Sequence, residues 1–134
     1  MKKLNKKGFT LVELLAVIVI LAVIMVITIP TVLGSMGNAK TSAFNSAVAT
    51  IEEYLEKNYQ VCVAGLSGVG VNYDTSVLTK NSDGTCSFTT NAESTLIANA
   101  GYSTTDITIA SGGVSLTNGK ATITATATDG GKFK

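Results

Sequence analysis

Residues 6–13 read Lys6-Lys7-Gly8-Phe9-Thr10-Leu11-Val12-Glu13, and the chain then stays apolar, with no further charge, to Leu33. At about 1.5 Å per helical residue, the twenty residues 14–33 cover the roughly 30 Å hydrocarbon core of a bilayer. The stretch therefore reads as a membrane-spanning helix. Its single carboxylate, Glu13, stands near the start, where an unpaired charge costs on the order of 3 kcal/mol, so Glu13 needs a partner when the protein is at work. Lys2, Lys3, Lys6 and Lys7 precede the helix, an excess of positive charge that holds the N-terminus in the cytoplasm while the remainder is exported. No small-residue cleavage site follows the apolar run. The sequence continues as Pro30-Thr31-Val32-Leu33-Gly34-Ser35-Met36-Gly37 into a second helical pattern, so the apolar helix is expected to be retained.

Gly8 directly before Phe9, with Glu13 fifth after Gly8, resembles the class III signal of type IV pilins and pseudopilins. The resemblance covers the N-terminal segment and says little about the remainder. It implies that a membrane-embedded prepilin peptidase cuts between Gly8 and Phe9, and that Phe9 becomes the N-methylated N-terminus. Glu13 would then pair with the terminal ammonium of Phe9 on a neighbouring subunit. Pro30 falls where many such pilins carry a proline; it removes one backbone hydrogen bond and bends or locally opens the helix. Filament pilins often have a glycine earlier, whereas residues 16–26 contain none, so any melted segment in a fibre would centre nearer Pro30 and Gly34. The implied fold class is α+β and type IV pilin-like, a long N-terminal helix packed on a small antiparallel β-sheet. The implied partners are prepilin peptidase, an assembly ATPase with its platform protein, the cytoplasmic membrane before assembly, and further copies of the chain in a helical filament at the cell surface.

Four segments follow: a cleaved leader at 1–8, a transmembrane and assembly helix at 9–33, an amphipathic half at 34–60, and a small β-rich domain at 61–134. In the amphipathic half, Ala39, Ala43, Phe44, Ala47, Val48, Ile51, Leu55 and Tyr59 recur at spacings of three and four, marking one apolar face. Lys40, Thr41, Asn45, Glu52, Glu53, Glu56 and Lys57 lie opposite, with Glu53 and Lys57 at a favourable i, i+4 spacing, and read as a solvated face. A bent helix over residues 10–59 would be roughly 75 Å long.

Loss of the leader takes the formal charge from +1 to −3, because four of the ten lysines leave and all nine acids remain. The remaining lysines are dispersed, apart from Lys132 and Lys134, so a nucleic-acid footprint is absent and DNA binding is not indicated. Cys62 and Cys86, both on the exported side, read first as a disulfide and second as two free thiols. Closing that loop would stabilise the domain by roughly 3.5 kcal/mol in the chain-entropy account.

Residues 61–78 read as a glycine-rich connector, and Asn81-Ser82-Asp83-Gly84 as a turn leading into a strand over 85–89. Thr90-Asn91-Ala92-Glu93 has the spacing of a capping box, which predicts a helix over 91–100 ended by Gly101. A meander is then expected. Ile107 and Ile109, Val114 and Leu116, and Ala121, Ile123, Ala125 and Ala127 alternate with polar residues, across turns at Ser111-Gly112-Gly113 and Asn118-Gly119.

The chain has no His, and no Walker or dinucleotide loop, so neither catalytic residues nor a cofactor are assigned and an enzyme is not expected. Two thiols without His, and without Cys-x-x-Cys spacing, do not make a zinc centre. Asp74, Asp83, Asp106 and Asp129 read as turn formers. Major pseudopilins of type II secretion bind calcium near the C-terminus, but Asp129-Gly130-Gly131 offers a single carboxylate for it, and no metal site is assigned. The favoured function is that of a structural subunit, a major pilin. The alternatives are a pseudopilin of a type II secretion or competence system, and a minor pilin that presents a binding module.

Overall fold

The computed structural model describes residues 10–65 and 70–134, so the expected cleavage between Gly8 and Phe9 lies outside the described residues. Six elements follow in order: α1 (Leu11–Ala64), β1 (Leu78–Lys80), β2 (Cys86–Phe88), α2 (Glu93–Asn99), β3 (Ile107–Thr117) and β4 (Lys120–Ala127). A long apolar N-terminal helix followed by small antiparallel sheets is the α+β layout of a type IV pilin-like fold. The chain divides into two compact units, Met1–Ala39 and Lys40–Lys134, with the division inside α1.

In the first unit α1 is long and apolar enough to cross a membrane. Its large apolar side chains are uncovered, from 46% exposed at Ile24 to 86% at Leu11. Pro30 lies within the helix, which is helical on both sides of it. The hydroxyls of Thr28 and Thr31 donate back to the carbonyls of Ile24 (2.8 Å) and Ile27 (3.0 Å), which satisfies them without water.

In the second unit the helical pattern outlasts the sequence expectation by five residues. Cys62 continues the apolar face one heptad after Leu55, both fully buried, and the amide of Gly65 closes the end on the Cys62 carbonyl at 3.3 Å. The connector therefore begins at Gly65 rather than at Val61, and its far end supplies β1. The turn over 81–84 joins β1 to β2 as an antiparallel pair, with Leu78 opposite Phe88 and Lys80 opposite Cys86.

The meander resolves differently. Ser111-Gly112-Gly113 is not a turn; β3 runs through it as one strand with a register shift between the Ile109–Ala125 and Val114–Ile123 pairs. A Cβ on Gly113 would come within 2.9 Å of the carbonyl oxygens of Ala110 and Thr124, so the bulge closes only around glycine. Asn118 (φ 51°) and Gly119 (φ 79°) make the two-residue hairpin turn, as their sequence suggests. The result is two separate two-stranded sheets, β1–β2 and β3–β4, instead of one.

The core of this unit joins Ile51, Leu55 and Cys62 of α1 to Val77, Leu78, Leu96, Ile97 and Ile107, none more than 2% exposed. Each such aliphatic side chain contributes about 1.5–3 kcal/mol by leaving water. Tyr59 lies against the hairpin turn, its ring carbon 3.3 Å from where a Gly119 Cβ would stand. Residues 128–134 fold back along the unit: Phe133 meets Phe44 edge-on at 6.0 Å between centroids, and Lys40 Nζ donates to the Lys134 backbone oxygen at 3.0 Å.

Candidate functional site

The start of α1 is built by a reciprocal pair of hydrogen bonds. The Thr10 amide donates to Glu13 Oε2 at 2.9 Å, and the Glu13 amide donates to Thr10 Oγ1 at 3.3 Å. Thr-x-x-Glu is the capping-box pattern, which satisfies two amides that the helix leaves without intrahelical acceptors. The signal was in the sequence at residues 10–13 and was not read there as a cap. In the single chain Glu13 thus has a polar partner, although the helix end supplies only about half a positive charge against a full negative one. Pro30 is seventeen residues further along, about 25 Å by helical rise, and does not share a site with Glu13.

Cys62 and Cys86 form a disulfide, with Cα atoms 6.3 Å apart. It ties the last turns of α1 to β2 and lies in the core, where Cys62 is fully buried.

The acids of the second unit do more than the sequence suggested. Glu53 pairs with Lys57 at 2.7 Å on the exposed face as expected, and this contact lowers its pKa. Glu52 and Glu56, assigned to the same solvated face, are half-buried. Each accepts a backbone N–H of β4: Ile123 to Glu52 Oε1 at 2.9 Å, and Ala121 to Glu56 Oε1 at 3.0 Å. Glu93, expected to cap α2, is instead 8% exposed and accepts the Gly112 amide at 3.0 Å, while the N-cap Ala92 makes no side-chain cap.

Asp74 is a turn former that is also a hub. Its carboxylate accepts the Ser76 amide (2.9 Å) and hydroxyl, the Tyr54 phenol (2.8 Å) and the Asn99 amide group (2.6 Å), joining α1, the connector and the end of α2. Asn58 of α1 completes the joint by accepting the Asp74 amide at 2.8 Å. Burial works to raise the Asp74 pKa, and the hydrogen bonds from Ser76, Tyr54 and Asn99 outweigh it, so the pKa falls. No signal short of the tertiary contacts would have found this joint.

Asp129, the residue weighed for calcium, pairs with Lys134 at 2.7 Å, which lowers its pKa. Asp106 pairs with Lys132 at 3.4 Å. Among the described residues no group of three or more His, Cys, Asp or Glu side chains is arranged to hold a metal ion.

A single capped carboxylate thus stands at the N-terminal end of an uncovered apolar helix. The prokaryotic N-terminal methylation motif, a family model, matches residues 3–29. The chain carries the class III signal of type IV pilins. This pilin signal takes in Gly8, Phe9, Thr10 and Glu13 and stops one residue short of Pro30. It implies processing by prepilin peptidase and entry into pilus-type assembly, and with the apolar helix it fits anchoring in the membrane before assembly. Neither a curated protein nor a solved structure matches the chain.

Proposed function

We propose that this chain is the major structural subunit of a type IV pilus-like extracellular filament. Prepilin peptidase removes residues 1–8 on the cytoplasmic side, Phe9 is N-methylated, and the mature subunit waits in the cytoplasmic membrane with residues 9–33 as its single span. An assembly ATPase and its platform protein then extract it into a helical filament, whose outside is formed by the unit Lys40–Lys134. The observation that carries this reading is the pairing of an uncovered apolar helix with one carboxylate in its first turn.

The cap from Thr10 gives Glu13 dipoles but no counter-charge. In the low-dielectric interior of a filament a full opposite charge a few ångströms away is attracted far more strongly than in water, and an uncompensated one is severely penalised. The Phe9 ammonium of a neighbouring subunit is such a charge, and it is available only after cleavage. Processing and registration of subunits are thereby linked.

Glu13→Leu tests the pairing. The variant is expected to remain in the membrane, since its helix is more apolar, and to be cleaved, yet to yield few or no filaments by electron microscopy. Filaments of normal number and length would overturn the role given to Glu13. Gly8→Val is expected to leave an uncleaved precursor, and N-terminal mass spectrometry of wild-type filaments to find methylated Phe9. A mature N-terminus beyond Leu33 would refute the whole reading.

A further inference from the structure

Along a two-stranded ribbon every second backbone N–H and C=O points away from the partner strand, an open template for another chain. On β4 the amides of Ala121, Ile123, Ala125 and Ala127 alternate outward, and the first two end on helix carboxylates, Glu56 at 3.0 Å and Glu52 at 2.9 Å. On the other edge the Gly112 amide of β3 ends on Glu93 at 3.0 Å. The match on β4 has a geometric basis. Glu52 and Glu56 stand one helical repeat apart, a rise of about 6.0 Å, while Ala121 and Ile123 stand one strand repeat apart, about 6.8 Å. The helix thus presents acceptors at nearly the spacing of a neighbouring strand. Lys120 Nζ, 3.4 Å from Glu56 Oε1, holds one of them in place.

We propose that Glu52 and Glu56 form a surrogate strand that keeps the outer edge of β4 from pairing with β4 of a second copy. A second copy is the relevant competitor because each chain carries its own membrane helix, which confines copies to one plane, and because an antiparallel β4–β4 pair is self-complementary about a two-fold axis. The guard ends at Ile123. Beyond it an open groove lined by Phe44, Val48 and Ala49 borders Thr124 and Ala125, so loss of the glutamates lengthens the open edge from residues 124–127 to the whole of β4. The proposal rests on the membrane anchoring of the reading above and stands whether or not the subunits go on to form a filament.

The test uses the full chain in detergent micelles with Thr124→Cys as reporter. Thr124 is exposed, and an antiparallel self-pair centred on it sets two Cα atoms about 4.5–5.5 Å apart, within reach of a disulfide. Glu52→Ala with Glu56→Ala is expected to raise oxidative cross-linking between copies at least about tenfold over the reporter alone. Glu52→Gln with Glu56→Gln keeps both acceptor oxygens and is expected to stay within about twofold of that background. No rise in the alanine variant, with its fold and native disulfide intact, overturns the proposal. An equal rise in the glutamine variant overturns it too, because charge rather than acceptor geometry would then hold the edge. Should the alanine pair fail to fold, Glu52→Ala alone, which frees the amide next to the groove, is read by the same criteria.

Discussion

Burial, with the Asp74 carboxylate beside it, pushes the Tyr54 phenol up to about 12 from an ordinary 10.0. Because the folded pKa is the higher one, the contribution of Tyr54 is complete below pH 10 and is lost as pH rises from 10 to 12. Asp74 is lowered from 3.8, so its contribution is present above that pH and is lost as pH falls through its folded value. Tyr54→Phe is expected to cost about 1 kcal/mol near neutral pH, as for one part-exposed hydrogen bond. The difference from wild type should shrink between pH 10 and 12, measured by thermal unfolding of the full chain in detergent. Asp74→Asn is expected to return the Tyr54 phenol toward its ordinary titration, followed by phenolate absorbance. From the sequence Asp74 could be read only as a turn former, and the Ser76 amide it accepts agrees. Its other partners come from α1 and α2, tens of residues away, where no local pattern points.

Apart from Thr50–Glu53 inside α1, the pattern Thr-x-x-Glu stands twice, each time before a helix, and forms a cap once. At residues 10–13 no other hydrogen bond draws the glutamate away among the described residues, and the reciprocal bonds form. At residues 90–93 Asn91 takes a left-handed conformation (φ 61°) and the Glu93 carboxylate is drawn to Gly112, so the box is lost and α2 is only seven residues long. Local signatures hold where tertiary contacts leave them alone. The same contrast separates the two glycine signals in the C-terminal half: Asn118-Gly119 makes its hairpin, whereas Gly112-Gly113 is absorbed into a bulge because Val114 and Leu116 pair with β4 in the same ribbon as Ile107 and Ile109. The disulfide acts between elements, closing a sequence separation of 24 from the end of α1 to β2. Cys62→Ser with Cys86→Ser is expected to lower the stability of this unit by roughly 3.5 kcal/mol in denaturant unfolding, with cleavage at Gly8 unaffected.

At the scale of the whole molecule the two units answer to different solvents. The apolar side chains of the first are uncovered by their own chain, while the second has a buried core of its own. Ile20→Lys, at a side chain 58% exposed in the single chain, is therefore expected to cost about 3 kcal/mol in membrane insertion. It should change the unfolding of the unit Lys40–Lys134 by no more than about 0.5 kcal/mol, since no contact of that core is touched. Fractionation of membranes and thermal unfolding of the purified chain measure the two effects separately.

By itself the sequence determined the long apolar helix, the signal around Gly8 and Glu13, the apolar face of α1, the Asn118-Gly119 hairpin and the α+β class. Each of these depends on neighbours within a turn or two along the chain, so composition and period suffice to read them. Tertiary structure alone decided that α1 runs to Ala64, that the expected meander becomes one bulged ribbon beside a separate hairpin, and that Glu52, Glu56 and Glu93 serve strand edges instead of solvent or a helix cap. The extra length of α1 follows from the burial of Cys62 in the core, and the glutamate outcomes turn on which backbone amides are left without a partner once the strands have paired. That is a property of the packed chain, and a carboxylate reads the same in sequence whether it faces water or an amide from a distant strand.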